Sequence, residues 1–190
     1  MMRIITGRAK GVRLETLEGV ATRPTSERVK EALFSMLQFD IQDRSVLDLF
    51  SGSGQLALEA LSRGASSAVM IDRSKDAVKI IQKNITKTKL SAMCEVYNCE
   101  FKEYILKNKG RKFDIVFIDP PYAAGLYSEC LSLLLSCDML KPSSLIVCES
   151  ECEDLLADNI ELHAQLDVFK QARYGRACVA IFKKKENSLV

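Results

Sequence analysis

Short apolar runs alternate along the chain with stretches whose apolar residues recur every three or four positions, the pattern of strands alternating with amphipathic helices. The sharpest change of period falls between Val46 and Leu61. Val46, Leu47, Leu49 and Phe50 suit a buried strand, Leu56, Ala57, Leu58, Ala60 and Leu61 recur at helical spacing, and Ser51-Gly52-Ser53-Gly54 lies between them. Further strands are expected over 68–71, 93–97, 113–118 and 145–149, with helices over 74–88, 102–107 and 126–136 and a short acidic helix over 151–157. The run FDIVFI at 113–118 is apolar almost throughout, as a central parallel strand covered on both faces requires. Residues 160–169 and 178–182 read as a terminal antiparallel pair. At the other end, 3–6 and 12–16 form an expected hairpin around Gly7-Arg8-Ala9-Lys10-Gly11. A helix capped by Thr25 or Ser26 then runs to about Gln38, burying Val29, Ala32, Leu33, Met36 and Leu37. The sum is an α/β fold with a Rossmann-like, mostly parallel seven-stranded sheet, an antiparallel C-terminal strand, and an N-terminal β-hairpin and helix. Residues 1–40 form the basic N-terminal extension and 41–190 the core domain.

The glycine turn adds chemistry to this outline. A strand that turns through glycines into a helix leaves backbone N–H groups and a partial positive charge facing the turn, where polar parts of a nucleotide-like ligand can sit. Ala57, the third small position, permits tight helix-on-strand packing. Asp72 ends the next strand, close to the ~20-residue spacing at which an acid reaches ribose hydroxyls. An ordinary turn of an αβ unit carries the same glycines, and a nicotinamide-dependent oxidoreductase fits GxGxxA with Asp72 equally well. Glu100 and Phe101, at the end of the 93–97 strand, can meet an adenine ring; capping the following helix is an equal explanation for Glu100.

Composition narrows the class. At 190 residues and 47% hydrophobic, the chain suits one domain with a full core. No apolar run approaches a membrane span and no signal peptide is evident, so a cytoplasmic protein away from membranes is expected. Seven cysteines without a CxxC pair, and a single histidine, His163, point to reduced thiols and no metal site. Net charge is only +2, but unevenly placed. Arg3, Arg8, Lys10 and Arg13 crowd the first 14 residues without an acid; Lys170, Arg173, Arg176 and Lys183–Lys185 crowd the tail; 149–161 hold six acids and no base. Such segregation suits a polyanionic partner on one side. The hairpin with Arg8 and Lys10 reads as an RNA-gripping device or as an edge cover, and Arg23 and Thr25 sit where they can meet cofactor or substrate phosphate.

The strongest chemical signal is Asp119-Pro120-Pro121-Tyr122, delivered by FDIVFI to the carboxyl edge that also holds the glycine turn. Two prolines stiffen the segment and remove two donors, leaving carbonyls free to accept. Asp119 and the Pro120 carbonyl can take both hydrogens of a planar nucleobase amine while Tyr122 stacks on its ring. Such an amine is a poor nucleophile, and acceptors on both N–H groups stabilise the charge that develops when it attacks. A merely rigid loop leaves the flanking acid and aromatic unexplained.

With VLDLFSGSG, Asp72 and DPPY in this order, the chain resembles class I S-adenosylmethionine-dependent methyltransferases. RIITGRAKGVRL, RPTSERVKEALFSML and YGRACVAIF make it similar to the RsmD family from Arg3 to about Phe182. The resemblance implies methyl transfer to the exocyclic N2 of a guanine in 16S ribosomal RNA, within the assembling or assembled small subunit, and no metal. It implies that Asp48, Ser51, Gly52 and Gly54, with Phe50, line the methionine part of the cofactor. Asp72, with Arg73, takes the ribose, Glu100 and Phe101 lie by the adenine, and Asp119, Pro120, Pro121 and Tyr122 hold the guanine amine beside the cofactor. Arg8, Lys10, Arg13, Arg23, Thr25 and Tyr122 are the expected substrate contacts. Asp72 stands where the family commonly has Glu, and Glu100 where Asp or Asn is usual; each keeps an acceptor. Adenine-N6 methylation of DNA or RNA is the nearest alternative, because DPPY accepts any planar amine, and a catalytically silent RNA-binding module is a further one.

Overall fold

A computed structural model of the chain describes residues 2–17, 27–120, 125–152, 154–157 and 159–185. Arg23, Thr25, Pro121 and Tyr122 therefore lie outside the described residues. Successive strand side chains point to opposite faces, so each apolar run supplies two cores at once. In β1 (Ser45–Asp48) Val46 joins one core and Leu47 the other; in β2 (Ser67–Ile71) Ala68 and Met70 oppose Val69 and Ile71. β3 (Cys94–Tyr97) is half-buried at one end of the sheet. In β4 (Phe113–Ile118) Ile115 and Phe117 oppose Val116 and Ile118. β5 (Leu140–Ser150), β6 (Leu166–Tyr174) and β7 (Ala177–Lys184) complete a seven-stranded sheet of order β3-β2-β1-β4-β5-β7-β6. β7 is antiparallel to both neighbours, and the other pairs are parallel.

Helices cover both faces. α1 (Glu27–Met36), α2 (Gln55–Ser62) and α3 (Lys75–Thr88) share one core with the N-terminal hairpin, whereas α4 (Phe101–Lys107), α5 (Gly125–Ser136) and α6 (Ile160–Gln165) form the other. In α3 the Ser74 hydroxyl accepts the Ala77 N–H at 3.3 Å, Ala77, Ile81 and Ile85 are buried, and Lys75, Lys79, Lys83 and Lys87 face outward as the spacing predicts.

Two expectations are corrected. Among the described residues of 151–157 there is no helix; the helix is α6, inside the segment expected to be strand, and β6 begins only at Leu166. Side-chain hydrogen bonds explain the shift. Ser150 donates its hydroxyl to the Cys152 carbonyl at 2.6 Å and Asp154 accepts the Leu156 N–H at 2.9 Å, which favours turns, whereas Asn159 caps α6 by accepting the Leu162 N–H at 3.0 Å. In α1 the buried set is Val29, Lys30, Leu33 and Phe34, with Ala32 and Met36 only half-buried and Leu37 buried just beyond the helix. The stripe is rotated because Phe34 packs on Phe117, ring centroids 6.0 Å apart, while Lys30 turns toward α2.

Lys30 turns that way because of Glu59, which is fully buried on α2 and holds the hairpin. Its carboxylate accepts the Ile5 N–H at 2.7 Å, the Thr6 N–H at 3.0 Å and Arg63 Nε at 2.9 Å, while Lys30 Nζ stands 3.7 Å away and donates to the Arg3 carbonyl at 2.6 Å. The hairpin itself shows one antiparallel bridge, Arg3 to Arg13, with Ile4 N–H donating to the Val12 carbonyl at 3.0 Å. Gly7, at φ +88°, lies so close to the Ser62 carbonyl that a methyl group there would overlap it. No helix among the described residues is long and apolar enough to cross a membrane, and all seven cysteines are free.

Candidate active site

β1 and β4 are parallel neighbours with Asp48 opposite Phe117, so the glycine turn and Asp119 leave the sheet at the same carboxyl edge, where the strand order reverses. Gly52 (φ +55°) and Gly54 (φ +79°) both need the left-handed region, and the Gly54 N–H closes the turn on the Ser51 carbonyl at 2.6 Å. Ser51 sews β1 to β2: its hydroxyl accepts the Ile71 N–H and donates to the Asp48 carbonyl, both at 3.0 Å. Its side chain is thereby committed within the fold. Asp72 accepts the Gly52 N–H and the Ser74 N–H, each at 2.8 Å, which locks the turn to the start of α3.

Asp48 is 1% exposed and its Oδ2 has no hydrogen-bond partner among the described residues. Burial pushes its carboxyl up to about 7; hydrogen bonds from the Phe50 N–H, Ser51 and the Ala57 N–H oppose the rise and the charge of Asp72 adds to it. Asp72 is raised too, by burial, against the Ser74 and Gly52 N–H groups. Two reluctant carboxylates at one edge make a site that gains from a cationic ligand. On the far side of Asp72, Asn98 donates to the Asp72 and Arg73 carbonyls, both at 3.0 Å, and Arg73 stands 3.6 Å from Glu100 in an exposed pair. Glu100 occupies the cap position of α4 without a side-chain cap bond. Half-buried Phe50 and buried Phe101 meet with centroids 5.2 Å apart and form an apolar floor between this pair and the turn. Across the turn, Asp119 is half-buried and Pro120 buried.

Residues 2–183 match the family model described as "Conserved hypothetical protein 95". The chain belongs to the RsmD family of S-adenosylmethionine-dependent methyltransferases. It is 39% identical over 153 residues to "Ribosomal RNA small subunit methyltransferase D" of Escherichia coli (strain K12), covering 80% of this chain and 76% of that one. YlbH of Bacillus subtilis (strain 168) is 33% identical over 186 residues, 97% of this chain and 100% of that one. The solved structure of yhhF from Escherichia coli superposes with a TM-score of 0.84 at 30% identity, covering 98% of this chain and 99% of that one.

On this RsmD-family framework the expected cofactor residues converge, and the hairpin residues do not. The hairpin lies along α2. Its base is at the reaction edge, where Met2 Sδ is 3.2 Å from Ser53 Oγ; its tip meets the other end of α2, where the Arg8 N–H donates to the Ser62 carbonyl at 2.8 Å. Eight helical residues separate those ends, about 12 Å. Arg8, 3.8 Å from Met93 Sδ, and Lys10 are thus placed toward the amino edge, and Arg13 is exposed partway along. The reason is that Glu59 and Ser62 satisfy the hairpin's backbone from the side of α2.

One feature of this edge of the RsmD-family fold escapes sequence reasoning. Asn84, fully buried on α3, accepts the Glu15 N–H at 2.8 Å and donates to the Glu15 carbonyl at 3.0 Å and the Ser53 carbonyl at 2.9 Å, so it ties the glycine turn to the N-terminal segment. An amide between Ile81 and Ile85 on an inward stripe was the available signal. Arg173 and Arg176, read in the sequence as part of a basic tail, are brought to the same edge. Ser150 pairs with Cys178, so the turn from β6 to β7 projects beyond the end of β5 at the reaction edge. No group of three His, Cys, Asp or Glu side chains able to hold a metal occurs among the described residues.

Proposed function

We propose that the protein transfers the methyl group of S-adenosylmethionine to the exocyclic N2 of a guanine in small-subunit ribosomal RNA. The observation that carries this reading is the adjacency of two loops at one edge: the turn at Gly52, backed by Asp48 and Asp72, and the Asp119-Pro120 segment. The donor set fits the cofactor. The unpartnered Asp48 Oδ2 and the raised Asp72 favour positive charge, and Phe50 with Phe101 offers an apolar face to an adenine. When bound there, the cofactor supplies an activated methyl carbon on a sulfonium sulfur. Asp119 and the Pro120 carbonyl then accept the two hydrogens of the target amine, hold its lone pair toward that carbon and stabilise the positive charge that forms on nitrogen. Alignment accounts for much of the rate, up to ~7–11 kcal/mol in the best intramolecular systems. The base must leave its stack or come from an unpaired loop to reach this edge.

The relatives named as small-subunit methyltransferases support ribosomal RNA as the substrate, and Tyr122 is assigned to stacking on the base. The cytoplasm, where ribosomes assemble, is the matching location. The test is methylation of small subunits from a strain lacking the gene, with mass spectrometry of the modified nucleoside. N2-methylguanosine supports the reading, and N6-methyladenosine would transfer the same geometry to adenine. Asp119→Ala should lose most of kcat while still binding cofactor; wild-type turnover in that variant rules out the assigned role.

A further inference from the structure

The terminal hairpin presents an open edge with an unusual charge. β6 is last in the strand order, so among the described residues one of its long sides has no neighbouring strand. Residues 166–185 carry Lys170, Arg173, Arg176, Lys183, Lys184 and Lys185 against one acid, Asp167. The register shifts between Val168 and Lys170, and the extra residue, Phe169, is 38% exposed beside Val168 at 51%. Lys183 Nζ lies 3.4 Å from the Phe169 ring centroid and Lys170 Nζ 4.8 Å from it. Lys170 is partly committed, donating to the Met36 carbonyl at 2.6 Å and standing 3.7 Å from Asp40, and Lys185 pairs with Asp167 at 3.5 Å. No ion pair is recorded among the described residues for Lys183, Lys184 or Arg176.

We infer that the β6–β7 edge is a second RNA-binding surface, on which Phe169 stacks with an unpaired base and Lys183, on the same face, and Arg176, in the turn, neutralise phosphates. The inference rests on the ribosomal RNA reading above. An aromatic ring flanked by cations is the arrangement that holds single-stranded nucleic acid without reading its sequence. The same edge disfavours a protein strand as the occupant, because a bulge and the cations Lys170 and Arg173 on β6 hinder strand addition. β6 has nine residues, about 30 Å of edge, and its far end carries Arg173 and the turn to Arg176 at the reaction edge. RNA leaving the target base therefore has a continuous basic path along the sheet, and the surface would raise affinity for the correct substrate without touching the reacting atoms.

Phe169→Ala and Lys183→Gln, singly and together, test this, with unchanged S-adenosylmethionine affinity by calorimetry as the control for folding. Binding to protein-free small-subunit ribosomal RNA is measured across about 50–200 mM salt. Lys183→Gln should lower the slope of log affinity against log salt by about 0.7. Phe169→Ala should weaken binding about 5- to 150-fold at unchanged slope. The KM for RNA rises in step while kcat and the methylated nucleoside stay the same. Wild-type slope and KM in the double variant overturn the inference and leave the proposed reaction standing. A defect seen on intact subunits but not on protein-free RNA also overturns it, in favour of a ribosomal protein. A wild-type protein that binds no ribosomal RNA removes both readings.

Discussion

Asp48 should make cofactor binding pH-dependent. Burial holds its carboxyl at about 7 in the cofactor-free protein, and Oδ2 has no partner among the described residues. A cationic ligand beside it favours the ionised form, so binding below that pH must expel a proton. The apparent affinity then carries a factor of 1 + 10^(7 − pH), about 1.1 at pH 8 and about 11 at pH 6, so binding weakens about tenfold on acidification, ~1.4 kcal/mol. At pH 6.5 about three-quarters of a proton should be released per cofactor bound, which calorimetry in buffers of different ionisation enthalpy measures directly. Asp48→Asn is the perturbation: binding is weaker at pH 8 and its release of protons disappears. The cofactor's own amine titrates near 7.7–8.0 in both proteins, so the difference between them is the quantity read. Stability gives an independent check of sign. The folded protein holds this proton from near 4 to about 7 while the unfolded chain does not, so the native carboxylate destabilises the cofactor-free fold progressively as pH rises through that window. Cofactor-free Asp48→Asn should therefore be the more stable at pH 8, by up to ~4 kcal/mol, with the gap closing near pH 4. Identical pH profiles and proton release in the two proteins would refute the reasoning.

Asn84→Ala frees the Ser53 and Glu15 carbonyls, so the KM for S-adenosylmethionine should rise by the equivalent of ~1–3 kcal/mol with a smaller change in kcat; Asn84→Asp should not rescue it, because an oxygen would then face both carbonyls. Glu59→Gln strands Lys30 as a buried cation and should cost ~3–5 kcal/mol in denaturant unfolding. That loss should shrink as pH rises, because burial already lowers the Lys30 ammonium and deprotonation relieves it. Gly7→Ala combines a left-handed φ with overlap on the Ser62 carbonyl and should cost more than about 2 kcal/mol, seen as a lower Tm and as proteolysis within residues 3–14.

The sheet edge that carries the glycine turn was largely legible before any coordinates. FDIVFI, short and apolar throughout, reads as a doubly covered strand, a glycine turn that follows a parallel strand faces the carboxyl edge, and Asp72 at the end of the next strand comes to that same edge. These conclusions follow from period and handedness, which are local properties of the chain. The boundary between α6 and β6 was not legible, because Ile160 to Phe169 carries apolar residues compatible with either period, and the cap at Asn159 decided between them.

The sequence by itself determined the alternation of elements, the two faces of each strand and the edge on which Gly52 and Asp119 must meet. Only the tertiary structure decided that the Arg8–Lys10 tip lies against the far end of α2, that Glu59 gathers Lys30, Arg63 and the hairpin, and that Asn84 braces the glycine turn. Apolar periodicity reports which side of an element seeks cover. A buried amide or carboxylate binds whichever backbone groups the completed fold leaves unpaired nearby, and for Asn84 and Glu59 those come from residues 31 to 69 positions away in the chain.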